Sequence, residues 1–338
     1  MGIPLNDQNV NRPIISVVIP AYNEELTIEK CYFRVVQVFD ELVDFQLEMV
    51  VVNDGSRDQT QKAINRICDM DDRVTCVDLS RNFGKEIAMT AGLEYASGDA
   101  IVIMDADLQH PPEMIPKMIA EWHAGFDIVY GVRTHRQDES LIKRTTTAAF
   151  YRLFAKMTQI EIPRDAGDFR LMSKRAVNAL LTLREHHRFM KGLFAWIGFP
   201  SKAIQFTVDP RTAGVTSFSF WKLWNFAIEG ITSFTIVPLK IATYVGLIAS
   251  LIAFSVGGWI IFKTIVWGES VHGYPTLMVS IVSIGGLQLF FIGLLGEYLG
   301  RVFNETKRRP LYFSQYTRRS KYTKVNTLSP AIQPRVQE

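Results

Sequence analysis

Apolar and polar positions alternate in blocks along the first 132 residues. Ile14–Pro20 reads IISVVIP, a short, almost unbroken apolar run that suits a strand buried on both faces. Glu25–Asp44 follows as an expected helix, and then comes a second apolar run, Leu47–Asn53 (LEMVVVN). The pattern predicts a helix from about Asp58 to Met70, a strand over Val74–Leu79 and a helix over Lys85–Ala96. Ala100–Met104 (AIVIM) is a fourth strand, Pro112–Ala124 a fourth helix and Ile128–Val132 a fifth strand. Strands alternating with helices imply an α/β domain with a mostly parallel sheet, covered on both faces. In such sheets, ligands bind beyond the carboxyl ends of the strands.

The C-terminal third follows another pattern. Ile241–Phe262 runs 22 residues without a charge, and Tyr274–Gly296 runs 23. Each exceeds the ~20 residues needed to cross a ~30 Å hydrocarbon core. The connection Gly268–Gly273 is short and predicts an antiparallel hairpin; it holds Glu269 and His272 but no Lys or Arg. Lys240 at one far end and Arg301, Lys307, Arg308 and Arg309 at the other put both ends on the cytoplasmic side by the positive-inside rule. Lys263 near the outer end can snorkel, and Trp259, Trp267 and Tyr274 fit an outer aromatic belt.

Two more stretches have an interfacial character. Phe218–Ile236 contains Phe218, Phe220, Trp221, Trp224 and Phe226 beside Lys222. Ser140–Gln159 places Phe150, Leu153, Phe154 and Met157 on one helical stripe, with Lys143, Arg144, Arg152 and Lys156 nearby. Such basic amphipathic helices lie in the headgroup plane or pack on a soluble domain. The start, MGIPLN, predicts neither an apolar signal segment nor myristoylation. These features divide the chain into an extension (1–13), a soluble domain (14–217), an interfacial helix (218–236), a hairpin (237–300, with spans at about 241–265 and 274–298) and a tail (301–338).

Composition narrows the class. The chain has 338 residues, 48% hydrophobic and 21% charged, which excludes a disordered or collagenous chain. Its net charge is only +3, but residues 301–338 carry 9 Lys/Arg against 2 Asp/Glu. A basic tail on a nearly neutral body fits an anionic membrane face better than nucleic acid. Cys31, Cys68 and Cys76 lack metal-binding spacing and read as buried or free thiols.

Polar residues cluster after the predicted strands. Strand one is followed by Pro20-Ala21-Tyr22-Asn23-Glu24, and strand two by Asn53-Asp54-Gly55-Ser56 with Asp58 and Thr60. Strand three leads to Arg81-Asn82-Phe83-Gly84-Lys85-Glu86, and strand four to Asp105-Ala106-Asp107-Leu108-Gln109-His110-Pro111. No GxGxxG or GxxxxGK[ST] occurs, which disfavours a dinucleotide site and a P-loop. Asp105 and Asp107, alternate residues at a strand end, point the same way and repel unless a cation sits between them. A hard cation such as Mg²⁺ takes oxygen ligands and shares them with bound phosphates, and Gln109 continues the spacing with an amide oxygen. Asp54 is either a turn residue beside Gly55 or an acceptor for a base or ribose.

PAYNE, NDGS, RNFGKE and DADLQHPPE together resemble the family 2 glycosyltransferases of the GT-A fold. With GVRTHRQDES, DAGDFRLMSKRAV, RFMKGLFAWIGF and GEYLGRVFNETKRRP, the resemblance extends over about residues 14–313 to the polyprenyl-phosphate glycosyltransferases. That group includes dolichyl-phosphate mannose synthase; the two C-terminal spans are most similar to the bacterial undecaprenyl-phosphate (bactoprenol) glucosyltransferases. One departure is Ser217, where relatives often carry a lysine.

The resemblance implies attack by a lipid monophosphate on the anomeric carbon of a nucleotide-diphosphate sugar, with inversion. It implies a donor site at Pro20, Ala21, Tyr22, Glu24, Asp54, Lys85, Asp105 and Ala106, and Mg²⁺ or Mn²⁺ at Asp105, Asp107 and Gln109. Arg133, Arg136, Arg170 and Arg211 are the candidates for the acceptor phosphate, because a guanidinium binds phosphate through two parallel hydrogen bonds. Asp107, Asp168 and Arg133 form the catalytic set, with Asp168 orienting the acceptor or forming a salt bridge to Arg170. The acceptor phosphate is already ionised at neutral pH, so a general base matters little.

UDP-glucose is the expected donor by resemblance; UDP-amino sugars and GDP-mannose are alternatives. The bilayer and undecaprenyl phosphate are the expected partners, in a bacterial inner membrane with the catalytic domain cytoplasmic. Gly257-Gly258 and Gly285-Gly286 permit close helix approach, and the resemblance implies a homo-tetramer. A processive polymerase needs an acceptor motif ending in Arg-Trp, which is missing, and more than two spans. A non-catalytic sensor or scaffold is opposed by the DAD triplet and the arginine set.

Overall fold

The computed structural model describes residues 12–133, 166–206, 235–267 and 273–322. Ser140–Gln159, nearly all of Phe218–Ile236, and Arg136, Arg211 and Ser217 lie outside the described residues. The chain forms two compact units: one from the residues before the hairpin together with those after Arg309, the other centred on the hairpin.

The first unit opens with β1 (Ile14–Ala21), α1 (Ile28–Glu41), β2 (Gln46–Asn53), α2 (Thr60–Met70), β3 (Val74–Leu79), α3 (Lys85–Tyr95) and β4 (Ala100–Ile103). A 3₁₀ turn at Pro112–Met114 leads into α4 (Ile115–His123) and β5 (Ile128–Arg133). Each lies within a few residues of its expected position. In α1 the buried residues Ile28, Cys31, Tyr32, Val35, Val38 and Phe39 recur at helical spacing and form the face that packs on the sheet. They join Ile15, Val17, Ile19, Met49 and Val51 in one core cluster. On the opposite face α3 packs closely: a Cβ on Gly92 would lie 2.3 Å from Val18 Cγ1.

The later part adds elements that the apolar pattern did not reveal. These are β6 (Ala166–Ser173), α5 (Lys174–Thr182), α6 (Met190–Trp196), β7 (Ser201–Phe206) and, after the hairpin, β8 (Ser314–Arg318). The eight-stranded sheet has the order β7-β5-β6-β4-β1-β2-β3-β8. β1–β4 are mutually parallel, and β5 is parallel to β7. β6 runs antiparallel between β4 and β5, and β8 runs antiparallel to β3.

The stretch after Arg309, expected as part of a basic tail, therefore supplies an edge strand. Tyr312 is buried and its hydroxyl donates to Glu94, and the Lys321 N–H donates to the Asp72 carbonyl at 3.0 Å. This segment covers the edge of β3, which would otherwise present unpaired backbone groups.

The second unit holds α7 (Val237–Trp267) and α8 (Tyr274–Thr306). Their 31 and 33 residues correspond to about 46 and 50 Å of helix, longer than the hydrocarbon core. The Tyr298 hydroxyl donates to the Thr235 carbonyl at 2.8 Å, tying the end of α8 to the start of α7 in an antiparallel hairpin. Leu251, Phe254, Trp259, Leu289 and Phe290 are exposed. Apolar surface of this extent is stable in lipid rather than in water.

Candidate active site

The strand order 3-2-1-4 reverses direction at β1, and a crevice opens beyond the carboxyl ends of β1 and β4 at that switch point. A cleft of about 450 Å³ lies there. It is lined by Pro20, Ala21, Tyr22, Glu24, Asp54, Lys85, Asp105 and Ala106, the whole expected donor set, together with Asp107. Asn82, Gly84 and Ala88 also line it. These three went unassigned in the sequence, although two of them stand in the RNFGKE motif.

Asp54 shapes one wall. Its carboxylate accepts from the Phe83 N–H at 2.7 Å and the Gly84 N–H at 3.0 Å, fixing the loop that leads into α3. Burial pushes its pKa up, against the opposing pull of those two N–H groups. Gly55, at φ 63°, is required beside it, because a Cβ there would lie 2.4 Å from the Arg81 carbonyl carbon. The N-terminus of α3 opens at the cleft, an arrangement that favours anions.

Charged groups converge on the other wall. Antiparallel pairing of β4 with β6 sets Ile103 against Arg170, and two further residues along that register bring Asp105 opposite Asp168. The Lys85 ammonium spans the pair, 2.6 Å from Asp105 Oδ1 and 2.6 Å from Asp168 Oδ2. Burial works against the charge on Lys85, but Asp105 and Asp168 outweigh it and hold its pKa above the usual lysine value. Burial likewise raises Asp168, but Lys85 and then Arg170 and Lys191 bring it down to about 2. Asp168 is therefore ionised at any physiological pH. Burial raises the Glu24 carboxyl, and Asp107 and Asp105 add to this against a hydrogen bond from Thr27.

The turn after β4 is held from behind. The Asp105 N–H donates to His110 Nδ1 at 3.1 Å, and the His110 ring stacks on Phe169 at 5.1 Å. Asp107 Oδ1 accepts from the Gln109 N–H at 3.1 Å, while Leu108 adopts φ 63°, a strained value for a branched side chain. His110 is thus a positioning residue missed in the sequence, although it ends the DADLQH motif.

Asp105 and Asp107 bring two hard oxygen donors to one cleft, and a cationic group already sits on Asp105, so their chemistry fits a divalent cation. Among the described residues no group of three or more His, Cys, Asp or Glu is placed to hold a metal by itself. Gln109 is buried and is not among the residues lining the cleft.

The arginines divide. Arg133 ends β5, at the same end of the sheet, whereas Arg136 and Arg211 lie outside the described residues. Arg170, expected at the acceptor phosphate, is instead 4% exposed and stacks on Phe194 with 3.5 Å from guanidinium carbon to ring centre. It donates to the Gly167 carbonyl at 2.8 Å, and burial lowers its pKa to about 10. Two residues on from Asp168 in β6, it is buried within the domain, where it supports the strand. Its link to Asp168 runs through a 3.4 Å contact with the backbone carbonyl, beside the attraction of its charge for the carboxylate.

An α/β domain with a DxD cleft at its switch point, on a chain that also carries an apolar hairpin, defines a membrane-associated glycosyltransferase of the GT-A class. Comparison with known proteins narrows this. Residues 16–181 match the family model described as glycosyl transferase family 2, and residues 237–302 match the GtrB C-terminal hairpin. An uncharacterised glycosyltransferase of Synechocystis is 48% identical over 298 residues, spanning 88% of this chain and 93% of that protein. A prophage bactoprenol glucosyl transferase homolog of Escherichia coli and the bactoprenol glucosyl transferase of Shigella phage SfX are each 45% identical, spanning 88% of this chain and 97% of theirs. Among solved structures, glucosyl-3-phosphoglycerate synthase of Mycobacterium tuberculosis aligns with a TM-score of 0.43 at 23% identity, covering 65% of this chain and 78% of that one. The chain belongs to glycosyl transferase family 2.

Proposed function

We propose that the protein transfers glucose from UDP-glucose to undecaprenyl phosphate at the cytoplasmic face of a bacterial inner membrane, giving a lipid-linked monosaccharide. The observation that carries this reading is the meeting of Lys85, Asp105 and Asp107 at one cleft, with Asp168 joined to it through Lys85, in a chain bearing a lipid-compatible hairpin. The 45% identity to bactoprenol glucosyl transferases over nearly their whole length supports the choice of sugar and acceptor.

In this reading Pro20, Ala21, Tyr22, Glu24 and Asp54 form the wall for the nucleoside. Lys85, Ala106 and the α3 N-terminus face the diphosphate. Mg²⁺ or Mn²⁺ held by Asp105 and Asp107 would supply positive charge to the diphosphate leaving group. Donor and acceptor both bring negative charge, so the repulsion must be neutralised before they reach attack distance. Arg133, Arg136 and Arg211 serve the acceptor phosphate, with Arg170 supporting Asp168 from behind.

A phosphate oxygen of the acceptor attacks the sugar C1 as the C1–O bond to the diphosphate breaks, and UDP departs with that electron pair. The configuration inverts. No proton need be removed, because a phosphate monoester is largely ionised at neutral pH. Asp168, held anionic, faces the positive charge that develops on the sugar ring. Hairpins of several copies associate through Gly257-Gly258 and Gly285-Gly286, where an added Cβ meets nothing within 4 Å inside one chain.

The test is transfer from a panel of labelled nucleotide sugars to undecaprenyl phosphate in membranes, with Mg²⁺ or Mn²⁺ and with EDTA, for wild type and Asp107→Ala. An organic-extractable product from UDP-glucose, lost in EDTA and lowered about 10²-fold or more in the variant, is expected. Transfer from a different sugar alone overturns the donor; transfer undiminished in Asp107→Ala overturns the site.

A further inference from the structure

Lys85 holds a position that a metal ion would contest. Its ammonium lies 2.6 Å from Asp105 Oδ1, 2.8 Å from Asp105 Oδ2 and 2.6 Å from Asp168 Oδ2. Two carboxylates facing each other across the β4/β6 register need a cation between them, and this one is covalently attached. It is also mobile in principle: the Lys85 side chain is 43% exposed, and a lysine is a compact charge on a flexible stem.

A metal entering the cleft finds few ligands of its own. Asp105 and Asp107 offer carboxylates, and among the described residues no third acidic, His or Cys side chain completes a group. A hard divalent cation takes about six or more oxygens, so the remaining ligands must come from water or from the donor diphosphate. The diphosphate has a second effect. It offers Lys85 an alternative anion, at the cleft that Lys85 already lines.

We propose that Lys85 is a cation gate: its ammonium occupies Asp105 until the donor diphosphate draws it away, so that the metal binds together with the nucleotide rather than before it. This rests on the donor and metal reading above and deepens it. Asp168 is the fallback partner that keeps Lys85 paired when a metal displaces it from Asp105. The consequence is a positive coupling between metal and nucleotide beyond their direct contact, and linkage requires that it be equal in both directions.

The measurement uses the full-length protein in detergent micelles. Free Mn²⁺ is read by electron paramagnetic resonance with and without UDP, and UDP affinity is read by calorimetry with and without Mn²⁺. The ratio of affinities gives the coupling factor. Lys85→Met is expected to tighten Mn²⁺ binding without UDP and to lower the coupling factor about tenfold, within the usual span of coupling between sites. Asp168→Asn moves it the other way: Lys85 loses its fallback, so Mn²⁺ alone binds more weakly and the coupling factor rises.

Unequal charge alone shifts Mn²⁺ affinity equally with and without UDP, so an unchanged coupling factor in both variants overturns the gate while leaving the donor reading intact. Absence of Mn²⁺ binding to wild type even with UDP overturns the metal reading, and the gate with it. Should Lys85→Met lose cooperative unfolding, Asp168→Asn decides alone, by a rise in coupling or its absence.

Discussion

Replacing Glu86 by Gln makes the stability of the catalytic domain less sensitive to alkali. Glu86 follows Lys85 in the first turn of α3; its side chain is partly buried, and Oε2 is fully enclosed without a hydrogen-bond partner. Burial first, and then Asp168, push its pKa from 4.5 up to about 8, against the pull of Lys85, Lys191 and Arg188. A carboxyl whose folded pKa lies above its unfolded one gives stability that is full below the unfolded value. That stability is lost as pH rises through the folded value. Between about 4.5 and 8, each pH unit therefore costs about 1.4 kcal/mol of stability. From pH 6 to pH 8 this comes to about 2 kcal/mol, allowing for residual solvent contact. For a domain of this size, that is about 4–8 °C in Tm. Thermal unfolding in detergent, followed by near-UV circular dichroism at half-unit steps from pH 6 to 8, measures it. The wild-type Tm should fall relative to that of Glu86→Gln by about that amount. Parallel Tm curves for the two proteins would refute the assignment of a buried, proton-binding Glu86.

Three further perturbations act on positions that shape the cleft or the sheet edge. Gly55→Ala forces a Cβ to 2.4 Å from the Arg81 carbonyl carbon at φ 63°; about 2–4 kcal/mol of stability should be lost, visible in urea unfolding. Asp54→Ala leaves the Phe83 and Gly84 N–H groups without their acceptor; about 2–4 kcal/mol should be lost, and KM for the nucleotide sugar should rise more than kcat falls. Ending the chain after Arg309 keeps the hairpin and every cleft residue but removes Tyr312 and β8. Bare β3 should then bring aggregation on size-exclusion chromatography and loss of transfer; a monodisperse, active truncation would show that β8 is dispensable.

The elements legible in the sequence were those whose burial is written locally. β1, β2 and β4 are mostly apolar runs because both faces of a central strand are covered, and α1 shows its buried stripe at helical spacing. The cleft was legible for a related reason. Polar residues directly after an apolar strand have to lie at its carboxyl end, and the parallel strands bring four such ends together. β6, β7 and β8 were not legible: AGDFRLMS, SKAIQF and SQYTR mix charged and small residues with apolar ones, as strands near an edge or along a cleft do. The hairpin was legible from length and apolarity alone.

The sequence by itself determined that this chain is an α/β domain followed by two lipid-compatible helices, with a DxD pair and a polar rim at one sheet edge. Local hydrophobic period and strand-end position are sufficient for that, because both are properties of neighbouring residues. Only the tertiary structure decided which of the candidates meet. Antiparallel insertion of β6 beside β4 brings Asp168 across from Asp105 and hands both to Lys85, while the same strand turns Arg170 inward against Phe194. Residues 105 and 168 are 63 positions apart, and strand alternation admits either face until a partner strand fixes the register. The fate of the C-terminal stretch was decided in the same way. A basic segment reads as a solvated tail until an unpaired strand edge is available to it, and that edge exists only once β3 has joined the sheet.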